Sequence, residues 1–222
     1  MALSIVGTPA NIASGGSYTP EAGSNRLVVL VAVAKNTPSV TLTNISYNGN
    51  TRTPTIQQTD SAGGDRDTAA ICVFKESELP AGSTVATATW SATPTVSRII
   101  CFTVQDADQS TTVRGSNGNY NIGNTVTTTQ TVTVGDLLIG GLAHRGAAGT
   151  NTLAFNGSWT ESYDADNGDG GQFGAGYHVA TGTSDGLDVT VTGASDDWAA
   201  ASIAIIAASG GGGGNSIAWI RA

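Results

Sequence analysis

Charge is scarce in this chain. Asp, Glu, Lys and Arg make up 12% of its 222 residues, and only nine of these are cationic. The formal net charge is −8, so a phosphate backbone would be repelled on average, and no basic stripe offsets the repulsion. Nucleic acid is excluded as a main partner. The same charge keeps a largely uncharged surface soluble. Cysteine occurs twice, Cys72 and Cys101, each inside an apolar run. Two buried free thiols packing as small hydrophobes are the favoured reading, with a disulfide as the alternative. Neither has a Cys or His at the short spacing a zinc site needs.

Histidine also occurs twice, His144 and His178. Each lies in or just after an apolar strand-like run and reads as a half-buried or rim residue. There is no HExxH pattern and no GxSxG elbow, so no hydrolase motif is present. The five-glycine run at 210–214 lacks the Lys-Ser or Lys-Thr of a phosphate loop. Glu is limited to Glu21, Glu76, Glu78 and Glu161, and no pair of them is set out for glycoside hydrolysis. No enzyme is expected. No apolar run reaches transmembrane length, and the first residues carry no basic n-region, so the expectation is synthesis in the cytoplasm without a signal peptide and no membrane partner. Helical periodicity with capping signals is missing as well.

What remains is glycine, 30 of 222 residues, with Ser, Thr and Asn, the composition of turn-rich β structure. The chain is organised around Leu27-Val28-Val29-Leu30-Val31-Ala32-Val33-Ala34, a largely β-branched run of strand length, apolar at every position and bounded by turn residues. It reads as a strand buried on both faces. Leu137-Leu138-Ile139-Gly140-Gly141-Leu142-Ala143 echoes it. Around each run the same order of features returns: an aromatic followed by Asn-Gly (Tyr47-Asn48-Gly49; Phe155-Asn156-Gly157), an acidic Gly-rich loop, a strand, a turn, an alternating strand and a closing apolar strand. Matched positions are offset by 110 at Leu27/Leu137, 108 at Tyr47/Phe155 and 103 at Phe74/Tyr177. The insertions fall in loops, as in an internal repeat. Neither half is expected to cover both faces of its own apolar strand. The reading is therefore an all-β, antiparallel, jelly-roll-like β-sandwich of about 8–10 strands built from two sequence-similar halves, each sheet drawing strands from both. It would form a single domain over 1–208, with half-repeats at about 17–105 and 126–208 and a crossover at 106–125. A Gly-rich tether (209–214) and a C-terminal docking peptide (215–222) follow.

Three groups of residues are candidates for sites. Asp164, Asp166 and Asp169, spaced along a Gly-rich loop, offer carboxylates for a structural Ca²⁺, although the loop departs from the EF-hand pattern. No other cofactor is expected. Trp159, Tyr163 and Trp198 offer ring faces that could stack on a glycan. Ile217, Trp219 and Ile220 are apolar for a chain end and suit docking onto a neighbouring subunit.

The Gly23-Ser24-Asn25-Arg26-Leu27 lead into a Val-rich strand, the Tyr47-Asn48-Gly49 hairpin, the Leu79-Pro80-Ala81-Gly82-Ser83 turn and the Asp197-Trp198-Ala199 start of the last strand together carry a resemblance. The chain resembles the jelly-roll β-sandwich modules of bacteriophage virion proteins (decoration, fibre or tail) and related bacterial surface proteins. The resemblance spans nearly everything up to residue 208 and is a fold-level one, so it transfers no catalytic residues. It implies a non-enzymatic virion structural protein, assembled in the host cytoplasm as a homo-oligomer or in a lattice with other virion proteins, most naturally as an outer-surface head decoration or a fibre or tail component. The alternative is a carbohydrate-binding or adhesion module that recognises a cell-surface glycan.

Overall fold

The computed structural model describes residues 2–36, 38–60, 66–146, 151–166, 171–193 and 196–209. Strands of the first half are β1 (Ser4–Ile12), β2 (Gly16–Tyr18), β3 (Leu27–Asn36), β4 (Leu42–Tyr47), β5 (Asn50–Arg52), β6 (Ile56–Thr59), β7 (Arg66–Lys75), β8 (Thr84–Trp90) and β9 (Val96–Gln105). Those of the second are β10 (Val113–Gly123), β11 (Thr125–Thr127), β12 (Gln130–Thr131), β13 (Leu137–Arg145), β14 (Thr152–Phe155), β15 (Thr160–Asp166), β16 (Gly171–Val179), β17 (Ser184–Asp185), β18 (Asp188–Thr192) and β19 (Asp196–Ile205). All strand pairings among the described residues are antiparallel. No helix among the described residues is long and apolar enough to cross a membrane.

The sheets do not mix strands from the two halves, which corrects the expected single two-sheet sandwich of 8–10 strands. The first half builds an inner sheet, β1-β9-β3-β7-β6, and an outer one, β2-β8-β4-β5. The second half repeats the order with β10-β19-β13-β16-β15 inside and β11-β18-β14 outside, plus the small ladder β12-β17. The two inner sheets pack face to face, so the described residues form four layers and three cores.

The pleat explains why the organising strands are apolar throughout. On β3, Leu27, Val29, Val31 and Val33 point into the core between the inner sheets, while Val28, Leu30 and Ala32 point into the core of the first sandwich. On β13, Leu137, Ile139 and Ala143 join the shared core, and Leu138 and Leu142 join the core of the second sandwich. Each half thus covers one face of its central strand by itself and relies on the other half for the second face.

The strand registers correct one sequence match. Leu27 stands opposite Lys75 on β7, and Leu137 stands opposite Val179 on β16. Phe74 therefore corresponds to His178, not to Tyr177. A one-residue shift moves a side chain to the other face of a sheet. Phe74 lies in the first sandwich, whereas Tyr177 faces the shared core, edge-on to Phe102 with ring centroids 6.5 Å apart.

The Asn/Gly-rich stretch expected as the crossover contains an eleven-residue strand, β10. Its own side chains close its exposed edge. Asn119 donates to the Thr127 carbonyl (2.9 Å) and accepts from the Tyr120 amide (2.9 Å), and Asn121 accepts from the Ile122 amide (2.8 Å). Amides that could recruit a foreign strand are occupied in this way.

The Asn48-Gly49 turn has both residues at positive φ, 49° and 74°, as a type I′ hairpin requires. At Asn156-Gly157 only the glycine is positive, at 66°, and the chain crosses to the inner sheet instead of forming a hairpin.

Candidate functional site

Trp159 and Trp198 are core residues of the second sandwich, 9% and 1% exposed, so neither offers a ring face to solvent. Tyr163 lies on the opposite face of its sheet, against the shared core. The three rings do not form one platform. Asp164 accepts from the Leu153 amide at 3.0 Å and from the Gln172 side-chain amide, which ties β14, β15 and β16 together. Asp166 is exposed at the end of β15. Asp169, Ile217, Trp219 and Ile220 lie outside the described residues. Among the described residues no group of three His, Cys, Asp or Glu side chains is placed to hold a metal.

The structure does bring together Ser158, His178 and Asp185, which the sequence reading never linked. Ser158 sits in the turn between β14 and β15, just after Gly157. His178 is the penultimate residue of β16, and Asp185 ends the short strand β17. Ser158 Oγ is 3.1 Å from His178 Nδ1, and His178 Nε2 is 3.0 Å from Asp185 Oδ2. The second oxygen of Asp185 accepts the Gly186 amide at 2.8 Å, which orients the carboxylate. An ionised carboxylate can only accept, so Nε2 must be the ring's donor. That tautomer leaves Nδ1 as an acceptor, and the Ser158 hydroxyl donates to it. Trp159 holds the ring from the core side, with centroids 5.8 Å apart, and is itself anchored by Nε1 donating to the Gly186 carbonyl at 3.0 Å. His178 is 7% exposed while Ser158 is exposed, and a cleft of about 260 Å³ opens beside them between Thr160, Tyr177, Val179 and Thr181. A constellation of this kind is defined by geometry and leaves no local motif. The three residues come from three separate segments, the β14–β15 turn, β16 and β17, so no local pattern in the sequence marks them.

Two further features stand out. Trp90, half-buried at the end of β8, lines a cleft of about 520 Å³ with Ser14, Thr89, Thr93, Pro94 and Ser97. Among the described residues, no ionisable side chain lines this cleft. In the second half, Arg145 pairs with Asp196 (3.1 Å) and Asp197 (3.4 Å). Buried Asp67, on the other half, belongs to the same charged group. Its carboxyl is pushed well above the usual range by burial, an effect only partly offset by Lys35 and Arg145.

Comparison of the chain with protein-family models, with curated proteins and with solved structures finds no match.

Proposed function

We propose that this chain is a structural protein of a bacteriophage particle, a head decoration or a fibre or tail component, working by self-association and docking. The observation that carries the reading is the doubled strand order. In each half the chain alternates between inner and outer sheets so that β1-β9-β3-β7 faces β2-β8-β4-β5, and β10-β19-β13-β16 faces β11-β18-β14. This order supports reading each half as a jelly roll, an architecture frequent in capsid proteins. Two such units joined through an apolar core form a rigid body whose strand edges are short, bulged or closed by side chains, which suits a lattice component that must not aggregate before assembly. The chain past 209, with Ile217, Trp219 and Ile220, is the proposed docking peptide.

The test is the solution mass of the full chain beside a version ending at Ser209, measured by light scattering over a range of concentrations. A defined oligomer or longer assembly for the full chain, lost on truncation, is the expected result. Monomers in both cases would overturn self-association as the mode of action.

The Trp90 cleft favours a second reading, recognition of a neutral glycan, because an indole among Ser and Thr residues is the chemistry a sugar face requires. Titration with neutral oligosaccharides followed by NMR tests it: shifts around Trp90 that vanish in W90A support it, and unshifted spectra overturn it.

A further inference from the structure

We propose that Ser158, His178 and Asp185 form a nucleophilic site that hydrolyses short-chain carboxylic esters. This goes beyond the structural role above and does not depend on it. Ser158 is the exposed member of the three, while His178 is buried and Asp185 half-buried at the rim of the second sandwich. The carboxylate fixes the ring tautomer so that Nδ1 receives the Ser158 proton, as the hydrogen-bond chain at 3.1 and 3.0 Å requires. The ring nitrogens are used in the opposite sense from the familiar triad, with serine on Nδ1 and carboxylate on Nε2. Either nitrogen can act as the base once the other is tied to a carboxylate.

The reaction balances with water as the only co-reactant. The Ser158 Oγ–H bond breaks, its proton passes to His178 Nδ1, and Oγ bonds to the ester carbonyl carbon. As the tetrahedral adduct collapses, the bond from carbon to the alcohol oxygen breaks, and that oxygen takes the proton from Nδ1. Water then attacks the acyl-serine, again passing a proton to Nδ1, and the carboxylic acid leaves as Oγ recovers its proton. Thr160 and Thr181, which line the cleft, are the residues whose hydroxyls would serve the carbonyl oxygen, and the exposed Val179 offers the acyl group an apolar contact. A volume of about 260 Å³ restricts the acyl chain to a short one. The inference rests on the meeting of three segments that have separate reasons to be where they are. The turn is set by Gly157 at φ 66°, the His by the β13–β16 register, and the Asp by the β12–β17 ladder.

The test uses the full chain and two probes, an alkyl fluorophosphonate and p-nitrophenyl acetate. The expected result is one covalent phosphonyl adduct, mapped by peptide mass spectrometry to Ser158. Ester turnover should fall by about a hundredfold or to the buffer rate in S158A, whose exposed position leaves folding intact. D185N serves as the positioning variant. With an amide in place of the carboxylate, the ring is free to take the other tautomer, so both the rate and the pH profile of labelling should change while the melting temperature of the chain stays near that of the parent. No adduct on Ser158, or turnover in S158A equal to that of the parent, would overturn the proposal.

Discussion

The two halves share a strand order and differ in what occupies equivalent positions. Phe74 and His178 make the comparison sharpest, since each stands opposite the second residue of its organising strand, Val28 and Leu138. In the first half the site holds a phenylalanine edge-on to Tyr47 at 5.5 Å, inside an apolar core. In the second half it holds a histidine against Trp159, hydrogen-bonded to a serine and a carboxylate. The same lattice point is apolar on one side and polar and hydrogen-bonded on the other. A second pair is Val31 and Gly141, equivalent on β3 and β13. These two meet across the shared core: a Cβ added at Gly141 would lie 2.3 Å from Val31 Cγ1. Identical side chains at this contact would collide, so one half supplies the knob and the other the hole. A third pair is Ala34 and His144, where the second half buries an imidazole that the first half does without.

Truncating the aromatic of the first half should have the largest effect. Phe74→Ala removes a fully buried ring and its contact with Tyr47, with an expected loss of about 3–5 kcal/mol in chemical denaturation. Because the shared core joins the sandwiches, the loss should appear in a single transition followed by probes in both halves. Two separated transitions would show that the halves unfold independently.

Next comes His144, fully buried, with neither ring nitrogen in a hydrogen bond of normal geometry even though the Gly123 backbone lies close enough to influence its titration. Burial lowers its pKa from 6.5 to about 4, against the opposing pull of Asp196. The folded state therefore takes up the proton later than the unfolded chain as the pH falls. Stability attributable to this residue is intact above about pH 6.5 and declines down to about pH 4, by roughly 3 kcal/mol in all. Asp67 titrates in the opposite sense: its raised pKa makes the fold gain stability as the pH falls toward the ordinary carboxylate range. The isolating measurement is the stability difference between the parent and His144→Leu as a function of pH. That difference should shift in favour of the variant on acidification. A pH-independent difference would mean that the imidazole is protonated in the fold as easily as in the unfolded chain.

Gly141→Val follows, with an expected loss of about 1–3 kcal/mol from overpacking against Val31. The informative variant is the exchange V31G/G141V. If the two positions are equivalent in space as well as in sequence, the exchange should recover at least half of the loss, a coupling readable in a double-mutant cycle. Additive effects would break the equivalence.

Much of this arrangement was legible in the sequence, for reasons that can be named. A strand buried on both faces must be apolar at every position, so β3 and β13 announced themselves, and turn glycines kept their spacing around them. Asn48-Gly49 specified its hairpin because few other residue pairs accept two positive φ angles. What failed was information carried between segments. Apolarity on two faces does not say which sheet supplies the second cover, so four layers were read as two. Periodicity of two cannot distinguish Tyr177 from Phe74's true counterpart without the register to β13. The Asn/Gly composition of β10 argues against a strand, and pairing with β19 along almost its full length overrides it. Ser158, His178 and Asp185 are each unremarkable alone, and only the β14–β15 turn, β16 and β17 bring them within hydrogen-bonding distance.

The smallest effect expected comes from the cysteines, and its absence is informative. Cys72 and Cys101 both stand opposite Leu30, on the two strands that flank β3. They are two strand spacings apart, about 10 Å, beyond the reach of a disulfide without tearing out the central strand. Burial pushes the Cys72 thiol up to about 12 and raises that of Cys101 as well, so neither forms a thiolate at neutral pH. Reductant should leave the melting temperature unchanged, and a thiol reagent should modify both residues only as the chain unfolds. The second half has no cysteine, so the rate of modification reports the opening of the first sandwich alone. Comparing it with amide exchange on β13 and β16 would reveal which half opens first. Equal rates would mean that the shared core, more than either sandwich, sets the cooperativity of the fold.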